Sequence, residues 1–265
     1  MTPTSDPSVE DWFDAVSHSH QRLVDIVEPM TVEELTGPSY ASEWSVAQVL
    51  SHLGSGAEIF TLFLEAGLGG DDAPGMDQFQ PVWDRWNAKS PEDQAADALV
   101  VDRALLDLIA RMDEEERRDW TLSMFGSDQR LTDVLRLRLG EHAMHTWDVA
   151  VMQDPNASIA PDAADLLIDV LGQLVARAGG ASDPPIRLTI STAGPERRFL
   201  LTADRDGAAL VPWEESTNPR GDPVLRLPAE ALIRLVYGRL DPLHTPPVEA
   251  EDNDLDALRT LFPGF

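Results

Sequence analysis

Apolar residues recur at three- and four-residue intervals through the first half of the chain. Past Gln153 that spacing gives way to short β-rich runs. The change divides the sequence into a helical part and a mixed part. In the helical part, Val9, Trp12, Phe13, Val16, Leu23, Val24 and Val27 fit one helix face. Thr31 with Glu34 forms a capping-box pattern over a short helical turn. Ser45 with Gln48 forms another, opening a helix whose Val46, Val49, Leu50, Leu53, Ala57, Phe60 and Leu64 share a face. Gly67 to Gly75 is a loop by composition. Ser90-Pro91 starts a helix marked by Ala95, Leu99, Asp102, Leu106 and Ile109, and Leu131 to Met152 form a further long one. Four main helices joined by loops predict an antiparallel four-helix bundle.

Asp154 to Pro161 is a hinge by composition. A helix is predicted from Pro161 to Ala178, stopped by Gly179-Gly180. Strands are predicted at Ile186 to Ser191, Phe199 to Ala203, Ala208 to Trp213 and Val224 to Leu227, with a turn at Asp206-Gly207. Pro228 opens a last helix running through Arg239. The expected organisation is a helical bundle over residues 1–155 and a small α+β domain over 156–265 that closes over it. A length of 265 residues with 43% hydrophobic content supports two modest cores.

Composition restricts the chemistry. The chain has no cysteine, so disulfides, thiolate ligands and a cysteine nucleophile are excluded, and any metal must be held by His, Asp and Glu. The formal charge of −27 argues against nucleic acid and anionic membranes as partners. No run approaches the roughly 20 apolar residues of a membrane span. Met1 to Glu10 lacks the basic and apolar regions of a signal peptide, so a cytoplasmic protein is expected. The acidic runs Asp113 to Glu116 and Glu249 to Asp256 are expected to be solvated surface.

The chemistry-bearing residues concentrate in Leu139 to Val149, LGEHAMHTWDV. Glu141 and His145 are four apart, which on a helix brings their Cβ atoms to about 6 Å on one face. Arg138 and Asp148 extend the same polar stripe. A buried unpaired carboxylate is costly, and a cation between Glu141 and His145 removes that cost. His52 lies at the border of the apolar face of its helix, and an antiparallel bundle can bring it opposite His145. Two imidazoles and a carboxylate suit Zn²⁺ with a fourth position open, although the same set holds Ni²⁺ or Fe²⁺. Spacing alone favours a plainer reading, in which the histidines are core-edge residues and Glu141 pairs with Arg138 at the surface. His142 competes as a ligand but points about 100° away from Glu141. His18 and His20 are further possibilities on the first helix, and His244 is read as an exposed tail residue. Asp148 either orients a ligand histidine or pairs with Arg138. Trp44, Trp83, Trp86, Trp120 and Trp147 are read as core, with Trp83 and Trp86 able to lid a cleft.

Ser51-His52-Leu53, followed later by Glu141, His145, Trp147 and Asp148 in a Glu-x-x-x-His-x-Trp-Asp pattern, resembles the DinB-like metal-binding bundles. Within these the chain is most similar to the mycothiol-dependent maleylpyruvate isomerase family. That resemblance implies a DinB-like four-helix bundle joined to a C-terminal α+β domain like that of sterol carrier proteins. It implies metal ligands at His52, Glu141 and His145, with mycothiol as the thiol cofactor. A metal-bound thiolate would add to an electrophilic small molecule, the partner implied, giving either isomerisation or S-transfer. It also implies an arginine of the C-terminal domain that assists substrate binding. Arg239, in LVYGRL, is the expected residue, with Arg234 the alternative; capping of its own helix end is the competing role for Arg239. Two other classes stay open. A metal-dependent hydrolase would need a general base such as Asp148 or His142. A non-catalytic small-molecule-binding protein would hold its metal with four side chains.

Overall fold

The computed structural model describes residues 6–124, 126–214, 222–250 and 255–264. Residues 1–5 of the Met1 to Glu10 segment and 251–254 of the second acidic run lie outside these. The chain divides into two compact units, Met1–Asp154 and Pro155–Phe265.

The first unit holds α1 (Val9–Val27), α2 (Val32–Thr36), α3 (Val46–Gly69), α4 (Met76–Asn87), α5 (Pro91–Arg111) and α6 (Glu114–Asp119). A hairpin of β1 (Thr121–Met124) and β2 (Ser127–Arg130) follows, then α7 (Leu131–Ala150). Helix α1 begins at a capping box of Ser8 with Asp11, and α3 begins at one of Ser45 with Gln48. Ser90 caps α5, whose first residue is Pro91. In each case the side chain satisfies a backbone N–H that the first helical turn leaves unpaired. The bundle is made by α1, α3, α5 and α7. Helix α3 packs on α5 and α7, while α1 packs on α7 and α5.

Helices α3 and α7 run antiparallel. His52 and Leu53, near the start of α3, meet Glu141 and Arg138 of α7. Leu64, further along α3, accepts a bond from Trp120, which precedes α7. A Cβ on Gly54 would lie 2.2 Å from the Trp86 ring, so glycine here is what lets α4 seat that fully buried indole against α3.

The first unit departs from the sequence expectation at several elements. The loop after α3 is shorter than Gly67 to Gly75, because α3 continues to Gly69 and ends on left-handed Gly70. Met76–Asn87 is helical despite Pro81, its buried Val82 and Trp86 giving it an inner face. The β1–β2 hairpin is too short to stand out in the sequence: β1 alternates exposed and buried residues over only four positions, and β2 is polar throughout.

The second unit begins with α8 (Pro161–Ala178), which ends at Gly179. It contains β3 (Ile186–Ala193), β4 (Arg197–Asp204), β5 (Gly207–Pro212), β6 (Val224–Pro228) and β7 (Glu249–Ala250) in one sheet of order β5-β4-β3-β6-β7. Pairing is antiparallel except between β3 and β6. Leu188 and Ile190 face Leu201 and Phe199 across the β3–β4 register, and all four are buried. Helix α8 packs on β5 and on α9 (Ala229–Val236), and α9 packs on β6 and β3. A short helix, α10 (Leu255–Leu261), follows. Helix α9 stops before Arg239: Gly238 has φ 73°, and a Cβ there would lie 2.4 Å from Gly264. The N-terminal unit is thus mostly helical and the C-terminal unit is a small α+β fold. Among the described residues, no helix is long and apolar enough to cross a membrane.

Candidate metal centre

Helix α7 is buried on nearly all sides, and its inner surface includes Arg138, His142, His145 and Asp148. Each of these polar groups therefore needs a partner. They divide between two clusters on different faces of the helix.

The first cluster faces α3. His52 Nε2 lies 3.0 Å from Glu141 Oε2, and His145 Nε2 lies 3.6 Å from the same oxygen. The two imidazole centroids are 4.7 Å apart. One donor atom from each residue lies within 4.8 Å of the others. Tetrahedral zinc with bonds of about 2.0–2.1 Å sets its ligand atoms about 3.3–3.4 Å apart, and the two distances to Glu141 bracket that value. The donor set fits a divalent ion. The side chains of His52 and Glu141 are 39% and 47% exposed, while His145 is 10% exposed. The group is anchored on one side and open on the other, as an additional ligand would require.

Charge and hydrogen bonding prepare these atoms. Burial opposes ionisation of Glu141, but hydrogen bonds and charge from His145 and His52 hold its carboxyl well below the usual carboxylate range. Burial also opposes the charged form of His145. Its bonds to Asp148 and Glu141 outweigh that, and its pKa is raised. Asp148 Oδ2 is 2.8 Å from His145 Nδ1 and its side chain is fully buried. An ionised carboxylate can only accept, so Nδ1 carries a proton toward Asp148; Nε2 faces Glu141 as a donor in the metal-free fold and becomes a ligand atom once it gives up its proton.

The second cluster faces α1 and α5. Asp102 Oδ2 lies 2.7 Å from His20 Nδ1 and 3.0 Å from His142 Nε2, while its Oδ1 accepts from Arg138 at 2.5 Å. Arg138 also donates to Leu53 O, and His142 Nδ1 is 2.8 Å from Ser19 Oγ. All these side chains are buried. Burial alone would raise Asp102, yet Arg138 and His142 hold it well below the ordinary range; burial pushes His142 down. This second trio also has metal-ligand geometry, but the guanidinium already balances the carboxylate. One sequence signal pointed here: Asp102 interrupts an otherwise apolar stripe, and a carboxylate in that position demands a buried partner.

Several expectations change accordingly. Arg138 is buried against Asp102, so neither a surface Glu141–Arg138 pair nor an Asp148–Arg138 pair forms. His20 and His142 belong to the second cluster. His244 is half-buried in a 3₁₀ turn, with Nδ1 2.8 Å from Asp241, and is no exposed tail residue. Trp86, Trp120 and Trp147 are core, Trp83 is half-buried, and Trp44 is 37% exposed. In the C-terminal unit, Arg234 is buried, donating to Glu230 and to the carbonyls of Arg239 and His244. Arg239 is less buried and donates to Tyr237 O at 2.8 Å, just past the end of α9.

A helical unit that brings two histidines and a glutamate together from antiparallel helices, carried with a separate α+β unit, defines a two-unit protein with a candidate metal centre. The chain belongs to the mycothiol maleylpyruvate isomerase family. The model of that family's N-terminal domain matches residues 16–150, and the model of the MDMPI C-terminal domain matches residues 161–258. A crystal structure of a mycothiol-dependent maleylpyruvate isomerase superposes with a TM-score of 0.68 at 13% identity, covering 96% of this chain and 97% of that one. A structure of such an isomerase carrying a histidine-to-alanine substitution gives the same TM-score at 12% identity and the same coverage. At these identities the likeness is one of fold. No curated protein sequence matches the chain significantly.

Proposed function

We propose that this protein is a metal- and mycothiol-dependent enzyme acting on an electrophilic small molecule, of the isomerase or S-transferase type. The observation that carries the proposal is the convergence of His52 Nε2, Glu141 Oε2 and His145 Nε2, open on one side. In this reading those three residues hold the ion, with zinc the one proposed. When bound, the metal would supply Lewis acidity that lowers the pKa of a thiol at the open position. Asp148 keeps the His145 proton on Nδ1, so Nε2 is available as a ligand. The absence of cysteine in the chain is compatible with an imported thiol. Arg239 is proposed to recognise a carboxylate of the substrate, a need that the chain's net negative charge sharpens. Arg234, committed to Glu230 and two carbonyls, is the less suitable of the two.

The hydrolase reading has less support. The general base it needs would be Asp148 or His142, and both are fully buried and hydrogen-bonded inside the bundle. A structural metal would want a fourth side chain, and the candidate group among the described residues has three.

Mycothiol titration of the zinc-loaded protein tests the proposal, with His52→Ala as the comparison. Binding to the wild type and its loss in the variant are expected. A zinc-loaded wild type that binds no mycothiol would overturn the reading.

A further inference from the structure

Trp44 stands beside the candidate metal centre. Its ring centroid is 5.2 Å from that of His52 and 6.0 Å from that of His145, inclined by 39° and 33°. An indole placed there only to shield the histidines would be expected to be buried, yet it remains 37% exposed. Leaving so large an apolar surface in water is unfavourable.

The segment that carries it is fixed. Ser39 N and Oγ both donate to Trp44 O, at 3.1 and 2.8 Å, and Trp44 N donates to Ala41 O at 2.7 Å. Pro38 bridges Ser45, and Val46 N donates to Gly37 O. Tyr40 N donates to Asp148 O at 3.1 Å, and the Tyr40 ring meets Trp147 at 4.7 Å. The turn is therefore tied to the start of α3 and to α7, the two helices that supply the metal ligands. Such a mount presents the ring with little loss of conformational freedom when a ligand arrives.

We propose that Trp44 is the aromatic wall of the cofactor site, packing against the ring C–H faces of the polyol part of mycothiol while its sulfur occupies the open metal position. The inference rests on the mycothiol reading above and adds a determinant of which thiol is accepted. Mycothiol carries its cysteine-derived thiol on an amino sugar joined to inositol. Such rings offer apolar C–H faces to an indole and polar edges to water, which suits a half-exposed aromatic. Being uncharged, the polyol also meets no repulsion from a chain of net charge −27.

The test titrates mycothiol and N-acetylcysteine into zinc-loaded wild type, Trp44→Ala and Trp44→Phe. Zinc affinity should stay within about 3-fold in both variants. Mycothiol affinity should fall about 10-fold or more in Trp44→Ala and less in Trp44→Phe, the scale of one lost stacking contact. N-acetylcysteine, which lacks the polyol, should bind all three within about 2-fold. Mycothiol should also perturb tryptophan emission in the wild type and not in Trp44→Phe, a readout that survives if Trp44→Ala folds poorly. Equal mycothiol affinity in wild type and Trp44→Ala, or an equal loss for both thiols, would overturn the wall. Absence of mycothiol binding by the wild type would instead overturn the cofactor reading on which the wall depends.

Discussion

Asp148 Oδ2 lies 2.8 Å from His145 Nδ1, one helical turn along α7 from the histidine it touches. The carboxylate is fully buried, so it sets both the tautomer and the tilt of the imidazole. Partners of this kind, behind a metal ligand, are worth about 10–100-fold in affinity. Asp148→Asn should lower zinc affinity by about that factor while leaving the helical circular dichroism intact. Chelator competition measures it, and unchanged affinity would remove Asp148 from the site.

The buried Asp102–Arg138 pair makes a separate prediction about stability. Asp102→Asn leaves a buried guanidinium without its counter-charge, an arrangement that costs about 3–5 kcal/mol. Replacing both partners, as in Asp102→Leu with Arg138→Met, removes both charges and should cost less than the single change. Urea denaturation of the two variants checks the order. A double variant less stable than Asp102→Asn would show that the network contributes something beyond charge balance.

The shift at His145 gives a pH dependence. Its pKa is raised in the metal-free fold, because bonds to Asp148 and Glu141 outweigh burial. In that form its contribution to stability is fully present below the unfolded value of about 6.5 and is lost as pH rises through the higher folded value. A metal needs the deprotonated ring, so zinc and the proton compete. Zinc affinity should therefore rise with pH through the raised value, and binding near pH 6.5 should release about one proton or more. Calorimetry in two buffers of different ionisation enthalpy reads the release directly. A buffer-independent heat would argue against His145 as a ligand.

Arg239 is predicted to act on substrate binding. Loss of a charge-assisted, two-point contact to a carboxylate costs about 1.5–3 kcal/mol. With a carboxylated electrophile of the class proposed above as the probe, Arg239→Gln should raise KM about 10-fold or more. Arg239→Lys should recover only part, since it restores the charge without the fork. If KM is unchanged in Arg239→Gln, the bond to Tyr237 O and the end of α9 become the better account of this residue.

The bundle was legible because its helices announce themselves twice, through apolar spacing and through the caps at Ser45 and Ser90. The strands β3 to β6 followed from short β-rich runs separated by turn residues. Helix α4 was obscured by Pro81 and by a polar composition in which only Val82 and Trp86 turn inward. In the site, the Glu141–His145 spacing was readable because it lies within one helix. The approach of His52 to Glu141 spans 89 residues, and only the family resemblance pointed to it strongly. Arg138 was misassigned because its true partner, Asp102, lies 36 residues away on another helix. Local spacing offered Glu141 and Asp148 instead. Long-range polar pairing depends on which helix faces meet, and periodicity leaves that unspecified.

Among the described residues of this bundle two trios have metal-ligand geometry, and they should behave differently. Around Asp102, the carboxylate is neutralised by Arg138, and both histidine nitrogens facing it can serve as donors. A divalent ion there would have to displace those protons and sit near a buried guanidinium, in a core closed to solvent. Around Glu141, the carboxylate's balancing charge comes from His145 and His52, and His52 and Glu141 reach water. Zinc-loaded protein should therefore contain about one equivalent of metal. His52→Ala with His145→Ala should contain almost none, and His142→Ala should keep its equivalent if it folds. Elemental analysis after gel filtration distinguishes these cases. Metal retained by the His52, His145 double variant would assign the ion to the inner trio and leave the outer histidines as hydrogen-bonding partners of Glu141.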